Sequence, residues 1–502
     1  KNNIIKPLFD KITHIHKNNG DYKMLKIFSR RITFIVIQAL FLILFNIMIC
    51  NSQENQSNSE TQKIINLENQ IYKEPDKFSF DAHNELRHLY SSRNEHKAFY
   101  HCDEIFKHSP MNNYILSILS GWQLDKDFKS AIISLENNRK KYPVFQFVNA
   151  ACLIKEGELY LKLGNKSAAS LILEHVQKLP DNQLETYKTI AKAMAANIGR
   201  KPLPEPWQIP VLEIRYFPVT PDGQKIDIAV TSNVSASLSE IRQKCDNLTQ
   251  KIITSLEEGS RFRAYKNSAA ASSLKYKIID KLEFLEPLPH SRYKKFPDYK
   301  KILERVNIKD YVENKGVKEV WIWGYHSPEL APWESNMASP YGDISNSDRD
   351  PADLPILGST YTVYHYNYER TASEAVENHM HQIETLIINF NKDLWERFAG
   401  VPGNWRCGNC HYPPNGKHDY DWSNKSYVET DIEDWRPEGK GEKISINCDK
   451  WQGDSLKWFI YWMQSLPGAG NNLPYLGKKL TNWWVVIGDY DGAIQMPNAL
   501  FE

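Results

Sequence analysis

No charge of one sign dominates this chain. Lys and Arg number 62 against 61 Asp and Glu, a net charge of +1. That balance excludes a global field drawing the protein to nucleic acid or to an anionic membrane, so no nucleic-acid partner is expected. Long apolar runs are also scarce. The run over residues 32–49 is broken only by Thr33, Gln38 and Asn46. Gly and Pro are sparse between residues 60 and 200, where apolar residues recur with a helical period instead. Tryptophan is nearly missing from the first 206 residues: Trp122 stands there, and the other thirteen of fourteen come later. Trp beside Asp and Asn implies rings that are buried or held ready for a ligand, so the last 300 or so residues form a specialised domain.

The chain begins with Lys1, and its first Met is Met24, followed by Lys26, Arg30, Arg31 and then the apolar run. A basic stretch before an apolar core describes a secretory signal. Residues 1–23 are therefore read as a non-native upstream extension, and 24–52 as a signal peptide or membrane anchor, the one expected membrane contact. Ile-Met-Ile-Cys50 crudely resembles a lipid-attachment site, though Ile49 is bulky where a small residue is expected. Cleavage after Ser52 fits the small-residue rule better, and eighteen residues also just reach the length of a spanning helix. All three routes predict export, to the periplasm, the outer membrane or the medium. The seven cysteines become six if Cys50 is lipidated or removed. In an oxidising compartment Cys407, Cys410 and Cys448 are the disulfide candidates, whereas Cys102, Cys152 and Cys245 fall in helical patterns as buried thiols.

Residues 55–200 carry a repeat. Ala98, Ala131 and Ala168 each precede a Pro (Pro110, Pro143, Pro180) by twelve positions. The Ala lets two helices approach closely, and the Pro stops the second helix because it lacks an N–H and clashes with the preceding turn. Gly157, Tyr160, Gly164, Ala169 and Val176 complete a layout that resembles the tetratricopeptide repeat. The resemblance implies a docking module for a protein or peptide partner, without chemistry of its own. Pro202, Pro204, Pro206 and Pro210 then mark 201–210 as a Pro-rich linker.

Residues 211–502 read as a mixed α/β domain with long aromatic-rich loops, so the whole chain is expected to be α followed by α/β. Strands are expected at 211–217, 226–230, 276–285, 317–323 and 361–368, and helices at 237–258, 299–306, 372–390 and 455–464. The helix at 372–390 carries the chemistry. Glu374, Glu377, His381 and Glu384 share a face about 80° wide, and His379 falls with the apolar set. Carboxylates and an imidazole spaced by three and four can ligate one divalent ion, zinc or calcium, with His411 added from a loop. Glu377 and Glu384 are the candidate catalytic acid and base; the bland alternative is a solvated polar face. Glu377-Asn-His-Met-His381 also resembles a degraded H-E-x-x-H zinc helix in which Asn378 replaces the catalytic Glu.

Cys407-Gly-Asn-Cys410-His411 matches the c-type haem attachment pattern, but haem is not the expected cofactor, because it also needs an apolar pocket and usually a second axial ligand. A disulfide, Cys407–Cys410 or Cys407–Cys448, is the plainer reading. His418, Asp419 and Asp421 could complete the site from the same loop. Asp343–Asp350 and Asp489–Asp491 resemble calcium loops without EF-hand spacing, and turn formation explains them better.

Trp333-Glu-Ser-Asn-Met337, Gly342-Asp-Ile-Ser-Asn-Ser-Asp-Arg-Asp350, His411-Tyr-Pro-Pro-Asn415, Asp419-Tyr-Asp421 and Thr481-Asn-Trp-Trp484 together resemble a group of exported bacterial proteins. The resemblance implies a domain over 208–495 and export, and carries no activity with it. Cys407, His411, His381 and Glu384 match the group's pattern; Cys410 does not belong to it, and Glu377 stands where it often has His. Three functions are therefore expected in turn: a metal-dependent hydrolase-like domain, a non-catalytic module for glycan, cell wall or peptide, and a structural envelope protein whose repeats recruit partners.

Overall fold

Each Ala–Pro unit builds a helix with the stop where Pro requires it. The computed structural model describes residues 59–73, 78–121, 127–290, 295–342, 344, 346–347, 353–496 and 498–502. The signal, Cys50, Trp122 and most of the 343–350 acidic loop lie outside them. Residues 1–82 and 83–502 are two units; in the first, 59–73 is helical. No helix among the described residues is long and apolar enough to cross a membrane.

Helices α1 (Phe80–Tyr90), α2 (Glu95–His108), α3 (Asn113–Ser120), α4 (Phe128–Lys141), α5 (Gln146–Lys162), α6 (Lys166–Gln177) and α7 (Glu185–Asn197) follow one another with short connections. Asn94, Asp127 and Asn165 cap α2, α4 and α6 by accepting a first-turn backbone N–H. Ala98, Ala131 and Ala169 are buried in those same helices. The third small residue is thus Ala169, eleven residues before Pro180 instead of twelve. Gly157 lets α5 approach α6, since a Cβ there would lie 3.2 Å from Leu173 Cδ2.

The C-terminal part is α/β. Strands β1 (Trp207–Tyr216), β2 (Leu274–Phe284), β3 (Glu319–Gly324), β4 (Ser335–Ala338) and β5 (Tyr361–Asn367) form one sheet in the order β2-β1-β3-β5-β4. Four strands run parallel, and β4 is antiparallel at the edge. The inner strands β3 and β5 are buried almost throughout, as parallel strands covered on both faces must be, while β2 is half exposed at its edge. β1 starts at Trp207, inside the stretch read as linker. Pro210 is tolerated because pairing with β3 begins only at Val211. The strand expected at 226–230 is instead one bridge, Val219–Ile226, and a single helical turn, Ile228–Thr231, capped by Asp227.

Helices α8 (Leu238–Gly259), α9 (Tyr299–Arg305) and α10 (Ile308–Glu313) connect the first three strands. After β5 come α11 (Ala372–Phe390), α12 (Lys392–Ala399) and α13 (Ser455–Met463). α8 and α11 pack side by side against the sheet, and α13 lies against both. The helical array docks on this domain. Arg200 pairs with buried Asp489, which also accepts the Leu203 N–H, and the Asn113 side chain occupies the space that a Cβ on Gly342 would take. Asp489 and Asp491, which accepts from Thr360, are thereby structural and not a calcium loop.

The tryptophans are core. Trp321, Trp323, Trp435, Trp451, Trp458, Trp462, Trp483 and Trp484 are fully buried. Their indole N–H groups explain why a loop-rich region needs them. Trp458 donates to the carbonyls of Asn409 and Cys410, Trp462 to that of Gly408, and half-buried Trp422 to that of Cys410. Buried loop carbonyls have no ladder partner, so a large apolar side chain with one donor fills the space and satisfies the acceptor together.

Candidate metal centre

Helix α11 starts at Thr371 with a capping box. Glu374 reaches back to the Thr371 N–H, so it leaves the acidic face and serves the cap. His379 faces the core. It is stacked on Tyr364 at 3.8 Å and sits 2.7 Å from the Tyr366 hydroxyl, and burial lowers its pKa to about 3. Glu377, His381 and Glu384 remain on the other face, where the 407–411 loop meets them.

That loop turns at Gly408, which has φ +77° and accepts the Trp462 N–H; a Cβ there would clash with the Tyr412 carbonyl. The turn delivers Cys410 and His411 to α11. Cys410 Sγ lies 3.2 Å from His381 Nδ1, and His411 Nε2 lies 3.0 Å from both His381 Nε2 and Glu377 Oε1. The ligand atoms of His381, Cys410 and His411 all fall within 4.8 Å of one another. Tetrahedral zinc, with bonds of about 2.0–2.3 Å, spaces its ligand atoms about 3.3–3.7 Å apart, so small side-chain shifts suffice to seat an ion.

Supporting contacts orient these groups. Asp419 Oδ1 sits 2.9 Å from His411 Nδ1, the outer carboxylate that directs the other ring nitrogen at an ion. Glu384 Oε1 accepts the Cys410 N–H at 2.9 Å, and its second oxygen is 3.5 Å from His381 Nδ1. Glu384 thus anchors the loop, and Glu377 is the carboxylate nearest both imidazoles. Glu334 Oε2 approaches His381 to 4.0 Å. Asp421 is buried against Lys417 N and Asn424, and His418 is exposed 3.3 Å from it; neither joins the cluster.

The electrostatics are those of a site waiting for positive charge. Burial opposes ionisation of Glu377, yet hydrogen bonds from His381 and His411 hold its carboxyl at about 2. Burial likewise opposes the imidazolium at His381, but Glu377 and Glu384 raise it to about 10. Burial and then the charges of Glu384 and Glu377 push the Cys410 thiol well up. A divalent cation would displace these protons and ionise the thiol.

The cysteine expectations are corrected. Cys407, Cys410 and Cys448 are all free buried thiols, so neither Cys407–Cys410 nor Cys407–Cys448 is joined. The haem pattern is split, because Cys410 points at His381 while the backbone around it is clamped by three indoles. Asp419, expected from the loop, does reach the cluster, whereas Cys410 as a ligand candidate and the supporting Glu334 are what spacing alone missed; the one available signal for Cys410 was a thiol adjacent to a candidate ligand, His411. Gly408→Ala is expected to distort the turn, at a cost of roughly 1–3 kcal/mol, and to lower metal content with it. Parallel melting curves and elemental analysis check this, and an unchanged metal content would show that the turn does not position the cluster. Compared with known proteins, the chain matches no family model, no curated protein and no solved structure.

Proposed function

We propose that this protein binds one zinc ion through His381, Cys410 and His411, and that the site is hydrolytic with Glu377 as its base. The convergence of two imidazoles and a thiol from α11 and a separate loop carries the reading. Nitrogen and sulfur donors select zinc over calcium, which takes oxygen ligands. Three protein ligands leave a fourth position open, as catalytic zinc sites do. Glu377 borders both the cluster and an adjoining cavity of about 220 Å³. A zinc ion held there would acidify a bound water and polarise a scissile bond. Glu377 would take the proton released when that water adds to the electrophilic atom and pass it to the leaving group as the scissile bond breaks. Glu384 positions Cys410, and Asp419 positions His411.

The test is elemental analysis of the full chain. About one zinc per molecule is expected, lost in His381→Ala and Cys410→Ser and kept in Glu377→Gln. No metal in the wild type would sink the reading, and loss in Glu377→Gln would make Glu377 a fourth ligand of a closed structural site.

The helical array supports a second role. Its alternating capped helices, buried Ala positions and Gly157 approach favour a tetratricopeptide-like docking module for a protein or peptide, one face of which already rests on the C-terminal domain. The glycan-binding alternative draws no support from the tryptophans: among the described ones after residue 206, only Trp405 and Trp422 are even partly exposed.

A further inference from the structure

The fold consumes hydrogen-bond donors in the wall of the cavity beside the cluster and leaves acceptors. Asn378 shows this most directly. Its Nδ2 donates to the carbonyls of Glu334, at 3.2 Å, and His365, at 3.1 Å. Two carbonyls admit only the N–H groups of an amide, so its orientation is fixed and Oδ1 points away from them. Oδ1 accepts no hydrogen bond among the described residues. The start of α11, where an uncapped helix offers N–H groups, is closed as well. The Thr371 hydroxyl takes the Ser373 N–H, and the Thr371 N–H and O–H both go to Glu374.

Two carboxylates of the wall keep an oxygen in hand. Glu334 accepts from Asn346 through Oε2, and Glu374 from Thr371 through Oε2. Neither Oε1 accepts a hydrogen bond among the described residues. Glu374 and Asn378 lie one turn apart on the same face of α11, and Asn378 holds the Glu334 backbone, so the three free oxygens belong to one corner of the cavity.

The charges agree with the hydrogen-bond inventory. Glu334, Glu374 and Glu377 line the cavity, and against them stands Arg370, exposed at the end of β5. His326 stays neutral, since burial and then Arg370 lower its pKa. A zinc ion with one thiolate in the adjoining cluster adds a single positive charge and leaves the balance negative. Tyr420, whose ring is 4.4 Å from that of His411, joins the cavity to the cluster. A molecule bound in this corner therefore reaches the candidate zinc site.

We propose that this cavity binds the ammonium end of a small primary amine, with Glu334, Glu374 and Asn378 Oδ1 as its acceptors and the Tyr420 ring beside it. An ammonium carries three donors and no acceptor, the complement of a corner with three oxygens free. Its bonds to carboxylates are charge-assisted, about twice as strong as neutral ones, and an aromatic ring face attracts it further. The inference deepens the hydrolytic reading by naming the end group of its ligand, and it rests on that reading only in making the ligand a substrate.

The experiment measures binding of L-leucinamide and of the isosteric hydroxy amide, in which OH replaces the ammonium, to the full chain by calorimetry. It is run about one unit below the α-amino pKa range, before and after chelator treatment, with metal content determined on each sample. The ammonium compound is expected to bind at least about tenfold more tightly than the hydroxy compound. The double variant Glu334→Gln/Glu374→Gln is expected to abolish that preference; Gln can still accept from Asn346 and from Thr371, so the helix cap and the loop contact survive. Arg370→Gln, which removes the opposing charge at an exposed position, is expected to tighten the ammonium compound several-fold, a gain that a damaged fold would not produce. Equal binding of the two compounds, no binding of either, an undiminished preference in the double variant, or weaker ammonium binding in Arg370→Gln would overturn the assignment. An ammonium preference in metal-free protein upholds the pocket even if the metal reading fails; a metal-loaded protein without the preference fails the pocket alone.

Discussion

Glu319→Gln is expected to stabilise the protein, by an amount that grows with pH. Glu319 opens β3 in the middle of the sheet and is fully enclosed. Its carboxyl accepts the Trp321 indole N–H at 2.8 Å and lies 3.4 Å from the Tyr276 hydroxyl. Its other near neighbours, Tyr364 and Tyr366, are apolar-walled phenols, and His379 stands neutral 3.9 Å away. Burial raises its pKa from 4.5 to about 8, only partly offset by those two hydrogen bonds and by the charge of neighbouring Lys318. The sign follows directly. Below pH 4.5 both folded and unfolded chains hold the proton, and the group costs nothing. Between 4.5 and about 8 the unfolded chain releases it and the folded chain keeps it, so stability falls as pH rises, by about 1.4 kcal/mol per unit. Above that the penalty is constant, on the order of 5 kcal/mol. Gln has the shape of the protonated acid and no charge to desolvate. Urea unfolding at pH 5, 6.5 and 8 should show the two proteins diverging steadily, and parallel profiles would refute the buried-acid account.

Zinc should stabilise the wild type strongly and the His381→Ala protein hardly at all. The three ligands join α11 to a loop some 30 residues away, an arrangement the unfolded chain does not hold. A ligand binding only the folded state adds RT ln(1 + [L]/Kd), about 4 kcal/mol when free zinc is a thousandfold above Kd. Unfolding of chelator-treated protein with and without zinc measures it. An equal gain in His381→Ala would place the stabilising ion elsewhere in the chain.

Local chemistry was legible in the residues. Helix 372–390 was bounded as observed, because its 3.6-residue period and its cap are both properties of neighbouring positions. His379 followed from the same period. So did Ala98, Ala131 and the Pro stops, although Ala169 rather than Ala168 takes the close contact. The edges of strands were less legible. β1 absorbs Pro210 because of where β3 begins to pair, and β4 is too short to show a pattern of its own. Even Glu374 could have been assigned correctly, since Thr371-Ala-Ser-Glu374 is a capping box written in four residues.

Composition and local spacing determined the helical character of the region before residue 200, the α/β class, the Glu377–His381 pair on one helix face and His411 as the loop residue that meets it. Folding alone decided the rest. It turned Cys410 away from Cys407 and toward His381, set Glu384 against the loop backbone, chose Asp419 over His418 and Asp421 as the partner of His411, and brought Glu334 to the cluster from a distant segment. It also showed what the tryptophans are for: their indoles hold the loop that carries Cys410 and His411. Periodicity and capping act within a turn or two of chain, whereas a buried donor finds its acceptor across the fold, and only the packed structure states which one it meets.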